Sequence, residues 1–174
     1  MYRSRGLPQQ PNSMAEFTIP EPLMYTERGT LFVQCIDQES GMVILSSPEQ
    51  LLQMSRSECI FMDGTFKTTP RLWNQLYLIK GQVRPGVYLL FAGVLLKRKT
   101  ASEYSRMMRK IKTLIMENYG VVMSPAMIMS DFETGLISAI RQEFPHTHHR
   151  GCYFHFCNSL FRYINNNNMK GQKL

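Results

Sequence analysis

Two aspartates, Asp63 and Asp131, sit where a carboxylate is least expected. Asp63 interrupts the apolar run Cys59-Ile60-Phe61-Met62-Asp63-Gly64-Thr65, and Asp131 closes Ala126-Met127-Ile128-Met129-Ser130-Asp131 just before a helix-like segment. A carboxylate in so apolar a strand is costly unless it is exposed at an edge, hydrogen-bonded or neutralised by a metal. Two carboxylates at adjacent strand ends are a standard way to hold Mg²⁺ over a phosphodiester. The pair therefore reads as the catalytic, Mg²⁺- or Mn²⁺-holding half of a phosphoryl-transfer site, with no third ligand evident. The plainer alternative is that each aspartate satisfies local backbone donors.

A second group of metal-ligating types lies near the end of the chain: His146, His148, His149 and His155 beside Cys152 and Cys157. Only Cys152 and His155 have the tight spacing of a zinc ligand pair, and a closed zinc module normally has two such pairs. They are candidates for a structural Zn²⁺ or for a packed, hydrogen-bonded join between a strand and a helix. The four cysteines are irregularly placed and no secretory signal precedes them, which suits a reduced intracellular setting.

The formal charge of +7 is unevenly distributed. Lys67 to Lys112 holds eleven basic residues and one acidic residue, Glu103. Lys97, Arg98 and Lys99, followed by Arg106, Arg109, Lys110 and Lys112, form the densest part. Such a concentration suits a polyanion, DNA or RNA, and implies salt-dependent binding; a solvated basic face is the alternative. The longest apolar run, Gly86 to Leu96, falls well short of the roughly 20 residues that cross a membrane and reads as a buried strand.

These residues need a scaffold. Residues 1–30, with Pro8, Pro11, Pro20 and Pro22, carry no lasting periodicity and read as a flexible segment. Leu31–Cys35 and Met42–Leu45 form a hairpin pattern, and Pro48–Met54 a short helix capped by Ser46 or Ser47. Glu58–Phe66, Leu72–Gly81 and Gly86–Leu96 read as three antiparallel strands joined by turn chemistry. Thr100 and Glu103 have the spacing of a capping box. Beyond them Tyr104, Met107, Met108, Ile111, Leu114 and Ile115 mark the apolar stripe of a helix whose outer face is basic. A strand to Met129, a helix over Glu133–Phe144, a strand over His149–Phe154 and a helix burying Cys157, Leu160, Phe161 and Ile164 follow. The order β-β-β-α-β-α-β-α predicts one α+β core over residues 31–164, a mixed sheet flanked by helices, with a frayed or truncated tail over 165–174.

The strings Phe61-Met62-Asp63-Gly64-Thr65-Phe66-Lys67, Ser130-Asp131-Phe132-Glu133 and Gly151-Cys152-Tyr153-Phe154-His155, in this order and spacing, resemble the core of a Mutator-like element (MULE) transposase domain. That family belongs to the DDE transposases and has a ribonuclease-H-like fold. The resemblance spans roughly Leu45 to Ile164. It implies DNA transposition in the nucleus by Mg²⁺- or Mn²⁺-dependent cleavage and strand transfer, with DNA as partner and a homo-oligomer as one form of assembly. The family's first two catalytic aspartates fall on Asp63 and Asp131, and its Cys-x-x-His on Cys152 and His155. Its third acidic ligand, a glutamate on a late helix, is expected downstream of Leu174. Glu133 and Glu143 are the nearest substitutes, but a helix-start position already accounts for Glu133. The resemblance thus implies a fragment, a degenerate copy or a domesticated protein that is inactive in isolation; the alternative is a non-catalytic DNA-binding or scaffold protein, with or without zinc.

Overall fold

The computed structural model describes residues 11–65 and 69–167. Residues 1–10, the end of the first long strand pattern with Lys67, and the tail from residue 168 lie outside the described residues. After a short helix α1 (Glu21–Met24), the order is β1 (Val33–Asp37), β2 (Met42–Leu45), α2 (Pro48–Arg56), β3 (Cys59–Thr65), β4 (Gln75–Arg84) and β5 (Val87–Leu96). Then come α3 (Ala101–Tyr119), β6 (Met127–Ser130), α4 (Thr134–Glu143), β7 (His148–Gly151) and α5 (Tyr153–Asn166).

All seven strands join one mixed sheet in the order β1-β2-β5-β4-β3-β6-β7. The β3-β4-β5 meander is antiparallel, whereas β6 joins β3, and β7 joins β6, in parallel. Parallel neighbours need a crossover, and α3 and α4 supply the two required. The expected fold class, a mixed sheet of antiparallel then parallel strands flanked by helices, is the observed one.

The helices α2, α3 and α4 cover one face. Ile60 and Met62 of β3, Ile79 of β4 and Ile128 of β6 pack with Met108, Ile111 and Ile115 of α3 and Leu136 and Ile140 of α4. Helix α2 begins with the reciprocal Ser47–Gln50 capping box. Thr100 caps α3 by accepting the Glu103 N–H, but the expected reciprocal half does not form, because the Glu103 carboxylate turns inward and is buried.

The other face is covered unevenly. Over β1, β2 and β5, Met14, Phe17, Ile19 and Met24 gather around Trp73, with Val33, Val43 and Leu95 beneath. Residues 11–30, read from sequence as flexible, therefore carry an apolar strap whose members are too sparse to show a period. Trp73 also explains why β4 starts at Gln75 and not at Leu72: its indole N–H donates to the Gly41 carbonyl at 2.5 Å, which ties the preceding turn to the β1–β2 hairpin. Over β3 and β6 the strap leaves the same face uncovered; there Phe61 meets the edge of Tyr88, at 5.4 Å between ring centres, and His155 of α5 comes up to Asp63.

Helix α5 departs from expectation. It starts earlier, at Tyr153, and buries none of its residues; Leu160 and Phe161 are exposed. Cys157 and Ile164 are half-buried, and the helix meets the rest of the domain through Phe156 beside Phe132 and His155 near Asp63.

Gly81 tests the core. A Cβ there would run into the buried ring of Phe91 and lie 2.7 Å from the Ser57 hydroxyl oxygen. Gly81→Ala is expected to destabilise the domain by about 1–3 kcal/mol, the usual cost of overpacking, measured as a lower urea midpoint.

Candidate active site at the ends of β3 and β6

The parallel register between β3 and β6 pairs Phe61 with Met129 and Met62 with Ser130. One step further along each chain stand Asp63 and Asp131. Met62 and Ser130 are buried toward the helices, so alternation sends the two aspartates to the opposite, open face. Neighbouring strands lie about 5 Å apart, and continuing this register by one residue, past the end of β6, would set the two side by side. The Asp63 side chain is 56% exposed, and this is how an apolar central strand tolerates it. Asp131 is half-buried, and its Oδ1 accepts the Glu133 N–H at 3.2 Å, closing a local turn that leads into α4. Ser130 beneath it lies 2.9 Å from His149 Nε2 and donates its hydroxyl to the Asp131 carbonyl. Burial, followed by the charge of Arg141, holds the His149 imidazole below its ordinary pKa.

Two aromatic residues and a histidine frame the pair on the open side. His155 Nε2 of α5 approaches Asp63 Oδ1 at 3.8 Å. Phe132 lies against the Gly151 backbone and, at 6.4 Å, beside the Phe156 ring. On the core side, Tyr104 donates its hydroxyl to Glu133 Oε1 at 2.7 Å and receives the Gln75 amide at 3.0 Å. The Tyr77 ring packs 5.5 Å from that of Tyr104. Burial, reinforced by the acidic groups around them, drives both phenol pKa values far up, so the two remain hydroxyls at any physiological pH.

Residues 59–159 match the MULE transposase domain, a stretch that runs from β3 into α5 and includes both aspartates and the Cys152-x-x-His155 pair. The chain belongs to the MULE transposase domain family. A comparison with curated protein sequences found no match. Membership gives a transposase-like function in general terms, within DNA recombination, and suggests DNA as a partner and a divalent metal as a requirement.

The MULE domain does not gather its histidines and cysteines. His155 turns to Asp63, His149 to Ser130, and Cys152 serves as the N-cap position of α5. Among the described residues no three His, Cys, Asp or Glu side chains are grouped to hold a metal ion. Glu143, weighed above as a third ligand, ends α4 and is engaged by Arg109 Nε at 3.0 Å and Lys112 Nζ at 2.8 Å. A ten-residue helix is about 15 Å long, so Glu143 lies far from Asp131, whereas Glu133 lies near it but is held by Tyr104.

The basic residues of the MULE domain separate into two sets. Lys97, Arg98 and Lys99 follow β5, whose C-terminal end lies on the same edge of the sheet as that of β3. The first turn of α4 packs against their backbone: a Cβ on Gly135 would lie 3.4 Å from the Lys99 carbonyl. The Lys97 side chain turns the other way, over Gly41 of the β1–β2 turn, while the Arg98 carbonyl accepts the Gln75 amide. Arg106, Arg109, Lys110 and Lys112 instead lie on α3, behind the helical layer. Arg106 reaches Asp37 at 3.8 Å, and Arg109 and Lys112 share Glu143. Sequence reasoning treated both sets as one basic surface because ion pairs between distant residues have no local signal. It also read Tyr104 as plain core, since its position on the apolar stripe conceals the polar bond at its tip.

Gly151 tests the link between Phe132 and the Asp131 turn. A Cβ there would meet the Phe132 ring at 2.5 Å. The ring is half-exposed and can swing away, so Gly151→Ala is expected to cost about 1 kcal/mol or less while moving the Asp131, Phe132 and Glu133 amide resonances in ¹H–¹⁵N spectra; those of β1 and β2 should stay in place.

Proposed function

We propose that this MULE domain performs the divalent-metal-dependent phosphodiester chemistry of DNA transposition at Asp63 and Asp131. The supporting observation is the register of β3 and β6, which sets the family's two aspartates side by side on an open face. The donors fit Mg²⁺ or Mn²⁺. Both are hard carboxylate oxygens, one is largely exposed, and Asp131 commits only one oxygen to a backbone donor. When bound, the divalent ion stabilises charge on the transferring phosphate and activates a water or a DNA 3′-hydroxyl. Asp63 and Asp131 anchor it, while Lys97, Arg98 and Lys99, which follow β5 at the same end of the sheet, hold the DNA backbone without reading sequence.

Two carboxylates make an incomplete site. The domain alone therefore binds Mn²⁺ weakly and nicks DNA little. Titration calorimetry with Mn²⁺ tests this assignment. Asp63→Asn and Asp131→Asn are each expected to abolish the weak isotherm while leaving circular dichroism unchanged, because asparagine keeps the shape and loses the charge. Isotherms identical to the unsubstituted domain would remove the metal site.

The absence of a third grouped ligand among the described residues favours a second reading: a transposase-derived protein that binds DNA without cutting it. Binding would then need no divalent metal. In either reading Arg98→Glu is expected to weaken binding to all duplexes alike and to lower the salt slope by about 1 or more. Arg109→Gln, which removes a cation already committed to Glu143, should leave affinity within about twofold of the unsubstituted domain in a fluorescence-anisotropy titration.

A further inference from the structure

We infer that Tyr104 is a positioning residue, a hydroxyl beneath the carboxylates that holds Glu133, and through it Asp131, in the arrangement a divalent cation requires, with the Tyr77 ring packed beside it. The inference rests on the reading of Asp63 and Asp131 as the cation's ligands. Tyr77 is fully buried, and its hydroxyl has no hydrogen-bond partner among the described residues. A buried, unpaired hydroxyl lowers stability, and a phenylalanine would fill the same space without that cost. The surrounding architecture is nonetheless built around this ring. Tyr77 pairs across the sheet with Gly64, the residue next to Asp63, and a Cβ on Gly64 would lie 3.2 Å from the ring. The lack of a side chain at Gly64 thus lets the phenol lie directly under the strand end that carries the first aspartate. The charged groups in its field are Asp131, Glu133 and Asp63.

Tyr104 makes the connection to the carboxylates. Gln75, fully buried at the start of β4, fixes the Tyr104 hydroxyl; Tyr104 donates to Glu133 Oε1; and the Glu133 N–H donates to Asp131 Oδ1. The orientation of the half-buried carboxylate is thereby tied, through three hydrogen bonds, to a residue two strands away in the sheet. Glu133 acts within this chain as an acceptor for Tyr104, a role that requires an oxygen but not a negative charge. Hydrogen-bonding residues behind metal ligands commonly carry 10–100-fold of the metal affinity.

The test uses the whole chain, Mn²⁺ as the probe and two readouts, calorimetric affinity and metal-free thermal unfolding. Tyr104→Phe is expected to weaken Mn²⁺ binding about tenfold or more, whereas Tyr77→Phe, which removes a hydroxyl with no partner among the described residues, should leave the affinity within about threefold and the unfolding temperature unchanged or raised. Glu133→Gln, which keeps an oxygen for Tyr104, should retain affinity within about threefold, whereas Glu133→Ala should not. Unchanged affinity in Tyr104→Phe would overturn the inference, as would a Glu133→Gln loss as large as that of Glu133→Ala, which would mark Glu133 as a direct ligand. Asp63→Asn separates the two levels of the argument. If it abolishes binding while Tyr104→Phe matches the unsubstituted domain, only the positioning role fails; if it too leaves the isotherm unchanged, the metal reading fails and carries the inference with it. Should Tyr104→Phe not fold, the Glu133 pair decides the question.

Discussion

The parallel pairing of β3 with β6 is the constraint on which the rest of this structure depends. Asp63 and Asp131 are separated by more than sixty residues, and only this register makes them neighbours. Parallel pairing in turn demands a crossover, and α3 provides it with an apolar stripe long enough to cover the centre of the sheet. The buried members of β3 and β6 face that helix, so the alternation that builds the core also turns both carboxylates away from it. A one-residue slip of β6 would send Asp131 to the core side and Ser130 to the open side, breaking the hydrophobic contacts and separating the aspartates at once. Stability and site geometry are therefore fixed by the same register.

The two faces of the sheet serve different ends. The helical face is closed, with its larger side chains interlocked and only a few polar groups admitted. Of the admitted groups, Gln75 and Tyr104 are bonded to one another and lead toward Glu133, while Glu103 keeps an unpaired carboxylate oxygen. The open face lets a carboxylate stand in a central strand at little desolvation cost. A fully covered sheet could not carry Asp63 in this way without a partner for its charge.

Much of this was legible in the sequence because the signals are local. Alternation in β3 and the helical spacing of Tyr104 to Ile115 gave the elements, and the parity of Asp63 against Ile60 and Met62 gave its face. The β1–β2 hairpin followed from turn chemistry, and capping chemistry narrowed the start of α2 to Ser46 or Ser47, of which Ser47 is the cap. What escaped notice depends on contacts between distant residues. The engagement of Glu143 by Arg109 and Lys112 requires α3 and α4 to be adjacent, and the approach of His155 to Asp63 requires α5 to lie over the open face. The exposure of α5 escaped for a further reason: an amphipathic pattern says which side of a helix is apolar, not whether anything covers it. Met14, Phe17, Ile19 and Met24 escaped because four apolar residues without a period look like a linker until a tryptophan gathers them.

That tryptophan has a practical consequence. Trp73 is the chain's single tryptophan, buried with the edge of Phe17 at 4.8 Å between ring centres, and it belongs to the cluster that seats the N-terminal strap on β1, β2 and β5. Its emission is thus a built-in reporter of whether that strap is seated. A red shift during unfolding would mark release of the strap and wetting of the β1-β2-β5 edge, an event that can precede loss of the helical core because the two apolar clusters lie on opposite faces of the sheet. Fluorescence and far-ultraviolet dichroism would then trace different transitions in one small domain.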